Sequence, residues 1–154
     1  MWFSRKQVAK SSKDPAAGPS GQVTTKRQGD AAETLALRHL IKAGLTRVET
    51  NYRTPGRGGG EIDIIMSAPD GTLVFVEVRQ RSGQSHGGAG ASIGAVKQQR
   101  IIMAARHYLM RFASLPPCRF DVVLIEGSEG GKGSVNGVKN GVKLEWLQAA
   151  FDAS

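Results

Sequence analysis

Apolar side chains alternate with polar ones in two short stretches and recur at helical spacing in two longer ones, and these two rhythms predict the elements. Gly60-Glu61-Ile62-Asp63-Ile64-Ile65 and Val74-Phe75-Val76-Glu77-Val78-Arg79 are rich in β-branched and aromatic residues. Ala68-Pro69-Asp70-Gly71-Thr72 between them is a turn signal, so they read as one hairpin running to about Arg81. Thr46 to Arg53 reads as a preceding strand anchored by Val48 and Tyr52, followed by a coreless loop from Thr54 to Gly60. Arg119 to Glu126 reads as a central strand. Val142 to Phe151 predicts a short strand or helical turn, with Leu144, Trp146, Leu147 and Phe151 closing the core.

Two segments carry the helical period. From Asp30 to Ala43, Ala36, Leu37, Leu40 and Ile41 form an apolar stripe, and Gly44 is a stop. Glu33 shares the phase of Leu37 and Leu40, an inward position where a first-turn acid is otherwise explained by the helix dipole. The second helix is expected from an N-cap at Ser92 to about Phe112. Its stripe is Ile101, Ala104, Ala105, Tyr108, Leu109 and Phe112, with Lys97 one turn before Ile101 on the same face. Pro116-Pro117 ends the segment. Helix, three strands, helix, strand and a short terminal element predict an α/β fold around a mixed sheet.

Charge changes this picture more than size does. The 154 residues suffice for one domain with a real core, and the net charge of +8 suits a polyanionic partner, nucleic acid first. Residues 1–27 set six Lys and Arg against Asp14 and are expected to be a disordered basic tail before a single domain over 28–154. Glycine-rich loops are expected from Ser82 to Ala91, containing His86, and from Gly127 to Gly141. The lone Cys118 excludes an intrachain disulfide and is expected in the core or at a strand edge. No apolar run approaches bilayer length, so a cytoplasmic protein with no membrane partner is the expectation.

The hairpin carries the candidate chemistry. Alternation puts Glu61, Asp63 and Ile65 on one face of its first strand and Phe75, Glu77 and Arg79 on one face of its second. If those faces coincide, carboxylates meet beside a cation in an apolar setting, at a cost that a divalent metal would offset.

This ordered set of residues resembles the PD-(D/E)xK nuclease superfamily. More closely, it is similar to the YraN-like family of predicted endonucleases, distant relatives of archaeal Holliday-junction resolvases. The matching stretches are Gly29-x-x-x-Glu33 with Ala36 and Leu40, Asn51-Tyr52-Arg53, and Gly60 to Ile65. They continue with Val74 to Arg79 and Arg81, Ser92-Ile93, Lys97, Ala104-Ala105, Tyr108-Leu109 and Arg119 to Val123, so the resemblance covers about 28 to 126.

It implies a restriction-endonuclease-like fold and a Mg²⁺ (or Mn²⁺) ion held by Asp63 and Glu77, with the Val78 carbonyl as a further oxygen ligand and Glu33 joining the metal or its water shell. Glu61 is left between capping the site and pairing with an arginine. Arg79 stands where the superfamily has a lysine; it stays protonated, so it clamps phosphate rather than acting as a base, and Lys97 can supply the ammonium. The implied activity is hydrolysis of nucleic-acid phosphodiesters, with branched DNA as a candidate substrate and a homodimer as the candidate assembly. Two other readings stay open: a non-catalytic nucleic-acid-binding protein that keeps the fold, and acids that only pair with Arg53, Arg79, Arg81 and Arg119.

Overall fold

The computed structural model describes residues 20–81, 93–127 and 141–153. The expected tail before Ser20, the loop bearing His86, the Ser92 cap and most of the 127–141 loop lie outside the described residues.

Helix α1 spans Ser20–Lys42. It starts ten residues before Asp30, so residues 20–27 are its first turns rather than tail; propagating an anchored helix needs only one bond per added residue. The anchor is Ala32, Ala36 and Leu40, all buried and four residues apart. Ile41, expected on that stripe, is 50% exposed because it lies a quarter turn away, and Leu37 is half-buried. The helix closes with Gly44 at φ 102°, Gly44 N–H donating to Ile41 O and Leu45 N–H to Leu40 O, while Leu45 packs back into the α1 cluster.

Strands β1 (Thr46–Arg53), β2 (Glu61–Ser67) and β3 (Leu73–Arg81) form an antiparallel meander. A register shift between Arg47 and Glu49 leaves Val48 as the extra residue, so it is exposed while Tyr52 is buried as expected. The β2–β3 turn closes with Gly71 N–H to Ala68 O at 2.9 Å and Thr72 N–H to Asp70 Oδ1 at 3.0 Å.

Helix α2 (Ala95–Leu109) crosses over to β4 (Cys118–Glu126), which lies parallel to β3. Gly94, not Ser92, occupies the N-cap. The helix ends at Leu109 rather than Phe112 because the next three N–H groups bond carbonyls three residues back, tightening the chain out of α geometry. The terminal element is a strand, β5 (Lys143–Phe151), antiparallel to β4. The sheet order is β1-β2-β3-β4-β5, with α1 on one face and α2 on the other. This five-stranded mixed α/β arrangement is consistent with a restriction-endonuclease-like fold. Cys118 is exposed at the start of β4.

Ile64, Met66, Val74, Val76, Val123 and Ile125 meet α1, and Ile65, Phe75, Val122 and Leu124 meet α2. Asp121 has no solvent exposure on β4, yet it is well supplied with donors. Arg119 Nε (3.1 Å), Trp146 Nε1 (3.0 Å) and the Ala149 N–H (3.0 Å) all donate to its carboxylate. Ala149 sits at φ 48° in a register irregularity of β5, so the Asp121 side chain holds the backbone where the β4–β5 ladder is interrupted.

Candidate active site

The β2–β3 ladder runs from Ser67↔Leu73 to Ile64↔Val76 and goes no further. The next positions along that register are Asp63 and Glu77. Asp63 Oδ2 accepts the Val78 N–H at 2.8 Å, so a side chain takes over the donor where the ladder stops. Glu77 stands on the α2 side with Phe75 two residues before it, and Lys97 in the first turn of α2 places Nζ 3.2 Å from Glu77 Oε1.

Glu77 is 6% exposed, and its Oε2 is buried without a hydrogen-bond partner. Burial pushes its carboxyl up to about 8; the charge of Asp63 adds to the rise, and Lys97 opposes it without cancelling it. Asp63 and Glu77 therefore bring two interacting carboxyls together at a strand opening.

The other candidates are placed as follows. Glu33 reaches from α1, half-buried, and its carboxyl is raised first by burial and then by the charge of Asp63, while a hydrogen bond with the Asn51 side chain lowers it. Glu61 pairs with Arg53 at 3.0 Å, the ion-pair alternative. Arg79 is half-buried on β3, two residues beyond Glu77 and on the same face by alternation. Arg81 follows on that face; its Nη1 lies 3.3 Å from Glu126 Oε1, while its buried Nε and Nη2 have no hydrogen-bond partner. Among the described residues, no three His, Cys, Asp or Glu side chains group as a ready-made metal cage.

The residues nevertheless fit a hard divalent ion. Mg²⁺ typically uses one or two carboxylates and fills its remaining positions with water and substrate phosphate. Asp63 and Glu77 supply the two carboxylates, and the orphaned Glu77 Oε2 supplies a lone pair that no protein donor takes.

Two further residues shape the site. The pairs Thr50↔Ile64 and Tyr52↔Ile62 place Asn51 opposite Asp63, and Asn51 has φ 54°. Asparagine tolerates that conformation better than most side chains, which is the one signal of it in the sequence. Gly60 precedes β2 against α2: a Cβ there would collide with the Arg100 carbonyl oxygen and lie 2.9 Å from Ala104 Cβ. Gly60 thus lets the strand bearing Asp63 approach the helix bearing Lys97. Gly60→Ala is expected to cost about 1–3 kcal/mol, the usual range for overpacking. Thermal melts and calorimetry check this; an unchanged melting temperature would show that the contact yields freely.

Fold and site together define an α/β protein with a carboxylate pair, Glu77 buried and Asp63 half-buried, at the opening of an antiparallel hairpin. The chain belongs to the uncharacterised protein family UPF0102, whose profile matches residues 32–125. It is 69% identical over 154 residues to a UPF0102 protein of a Polaromonas species, covering all of both chains. It is 66% identical over 158 aligned positions to one from Polaromonas naphthalenivorans, again covering all of both. A UPF0102 protein of Methylibium petroleiphilum is 57% identical over 135 residues, 86% of this chain and 99% of that one. No helix among the described residues is long and apolar enough to cross a membrane.

Proposed function

We propose that this protein is a cytoplasmic, metal-dependent endonuclease of the PD-(D/E)xK type that hydrolyses nucleic-acid phosphodiesters, with DNA as its substrate. The observation that carries this reading is the Asp63–Glu77 pair at the hairpin opening, with Glu77 buried, Asp63 half-buried and Lys97 3.2 Å from Glu77. Bound Mg²⁺ or Mn²⁺ supplies Lewis acidity and an activated water. Asp63 and Glu77 would hold the ion, and Glu33, on the α1 side, would contribute to its water shell. Lys97 sets an ammonium where charge develops on the phosphate, and Arg79 clamps a phosphate oxygen. Outside the site, α2 exposes Arg100 and Arg106 and carries no acidic side chain, which suits a phosphate backbone. A homodimer would suit the cutting of paired strands.

The test is cleavage of linear, flapped and four-way DNA with Mg²⁺ or Mn²⁺. Asp63→Asn is expected to lower the rate at least about a hundredfold while DNA binding persists. The second reading, a binding protein that has lost catalysis, is favoured by Arg79 in the lysine position. Tight, salt-sensitive binding with no metal-dependent cut on any substrate would establish it instead.

A further inference from the structure

A cleft of about 230 Å³ lies between α1 and the β1–β2 side of the sheet. Its polar lining is Asp30, Glu33 and Thr34 from α1 with Arg47, Thr50 and Asn51 from β1; Leu37 and Ile64 supply apolar surface. It adjoins the candidate active site through two of these residues. Glu33 feels the charge of Asp63, and Asn51 stands opposite Asp63 in the register while hydrogen-bonding Glu33.

We propose that this cleft is a subsite for one unpaired nucleobase with an exocyclic amino group, flanking the phosphate presented to Asp63 and Glu77. The location relative to that phosphate rests on the endonuclease reading; the base recognition does not. The volume falls below the roughly 300 Å³ at which pockets for drug-sized ligands begin, so the cleft takes a single planar heterocycle and not a base pair. Two carboxylates in the lining repel phosphate and accept amino hydrogens, as acidic side chains do from cytosine N4. The Asn51 amide offers a donor and an acceptor together, the pairing used for adenine. Thr34 and Thr50 add hydroxyls that serve either way. Leu37 and Ile64 give the ring an apolar face, and the exposed Arg47 is a cation for the neighbouring phosphate. A base can enter only if its strand is single or splayed, so the substrate class is DNA with unpaired nucleotides beside the cut.

Fluorescence anisotropy in EDTA, with the full chain, reads this without catalysis. The probes are one duplex in three forms: blunt, with a short cytosine flap, and with the same flap made abasic. The cytosine flap is expected to bind at least about fivefold tighter than the abasic flap, the lower end for one specific base contact. Leu37→Trp, which fills the cleft, is expected to erase that preference while blunt-duplex affinity holds, and Asn51→Gly, which keeps the positive φ available, to erase the preference as well. Equal binding of the two flaps by the unaltered protein, or a preference that survives both substitutions, overturns the subsite. Failure of cleavage on every substrate with the preference intact removes the endonuclease reading and leaves the base site standing.

Discussion

Glu77→Gln is expected to stabilise the metal-free protein by on the order of 3 kcal/mol at pH 7 and, on the endonuclease reading, to abolish metal binding and cleavage. The sign follows from the proton. Glu77 titrates at its ordinary 4.5 in the unfolded chain and at about 8 in the folded one. Between those values the folded protein keeps a proton that the unfolded chain has released. Stability therefore falls as pH rises through that window, by about 1.4 kcal/mol per unit, and levels off above it. Glutamine has no proton to exchange, and Lys97 is exposed enough to stay solvated when its partner is neutral. Urea melts from pH 4 to 9 should show the parent curve falling and that of the glutamine variant flatter, with a gap of roughly 10 °C in thermal midpoint at neutral pH. Parallel curves would mean that Lys97 keeps Glu77 ionised at neutral pH. On the endonuclease reading, metal would reverse the trend, since binding would require the carboxylate and displace the proton, so affinity for Mn²⁺ should climb with pH up to about 8.

Asp121→Ala is expected to destabilise the fold by about 3–5 kcal/mol, the cost of breaking a buried, hydrogen-bonded pair from one side. The loss has three parts: Arg119 is left without its carboxylate, the Trp146 indole N–H loses its acceptor, and so does the Ala149 N–H in the irregular stretch of β5. Asp121→Asn should cost less, because an amide oxygen can still receive one or two of these donors. Denaturant midpoints check the order. A loss below about 1 kcal/mol for the alanine variant would mean that water or a neighbouring group replaces the carboxylate. Asp121 is thus an acid of the same chain that folding uses for structure, in contrast to Glu77, whose burial disfavours its own ionised form.

Much of the architecture is legible in the residues. The first four strands and both helices are signalled by period, and the β2–β3 pair by its Pro-Asp-Gly turn, whereas the last element reads equally as a strand or a helical turn. The differences have local causes. Val48 reads as an anchor because alternation assumes an unbroken ladder, and a bulge breaks it. Ile41 reads as inward because a four-residue stripe and its neighbour are hard to separate until the sheet is in place. The early start of α1 is hidden because its first turns carry no apolar stripe. At the site, alternation places Glu77 and Arg79 on one face, and the spacing from Ile101 puts Lys97 on the inner face of α2, where it meets Glu77. Asn51 and Gly60 lie within the matching motifs, yet no role for either can be read there. The conformation of the one and the close helix contact of the other exist only once β1, β2 and α2 are packed together.

The irregularities in β1 and β5 have a consequence for association. These are the two outermost strands, and each is interrupted, at Val48 and near Ala149. A broken margin is a poor template for a sixth strand, so neither flank invites lateral growth into larger sheets or fibrils.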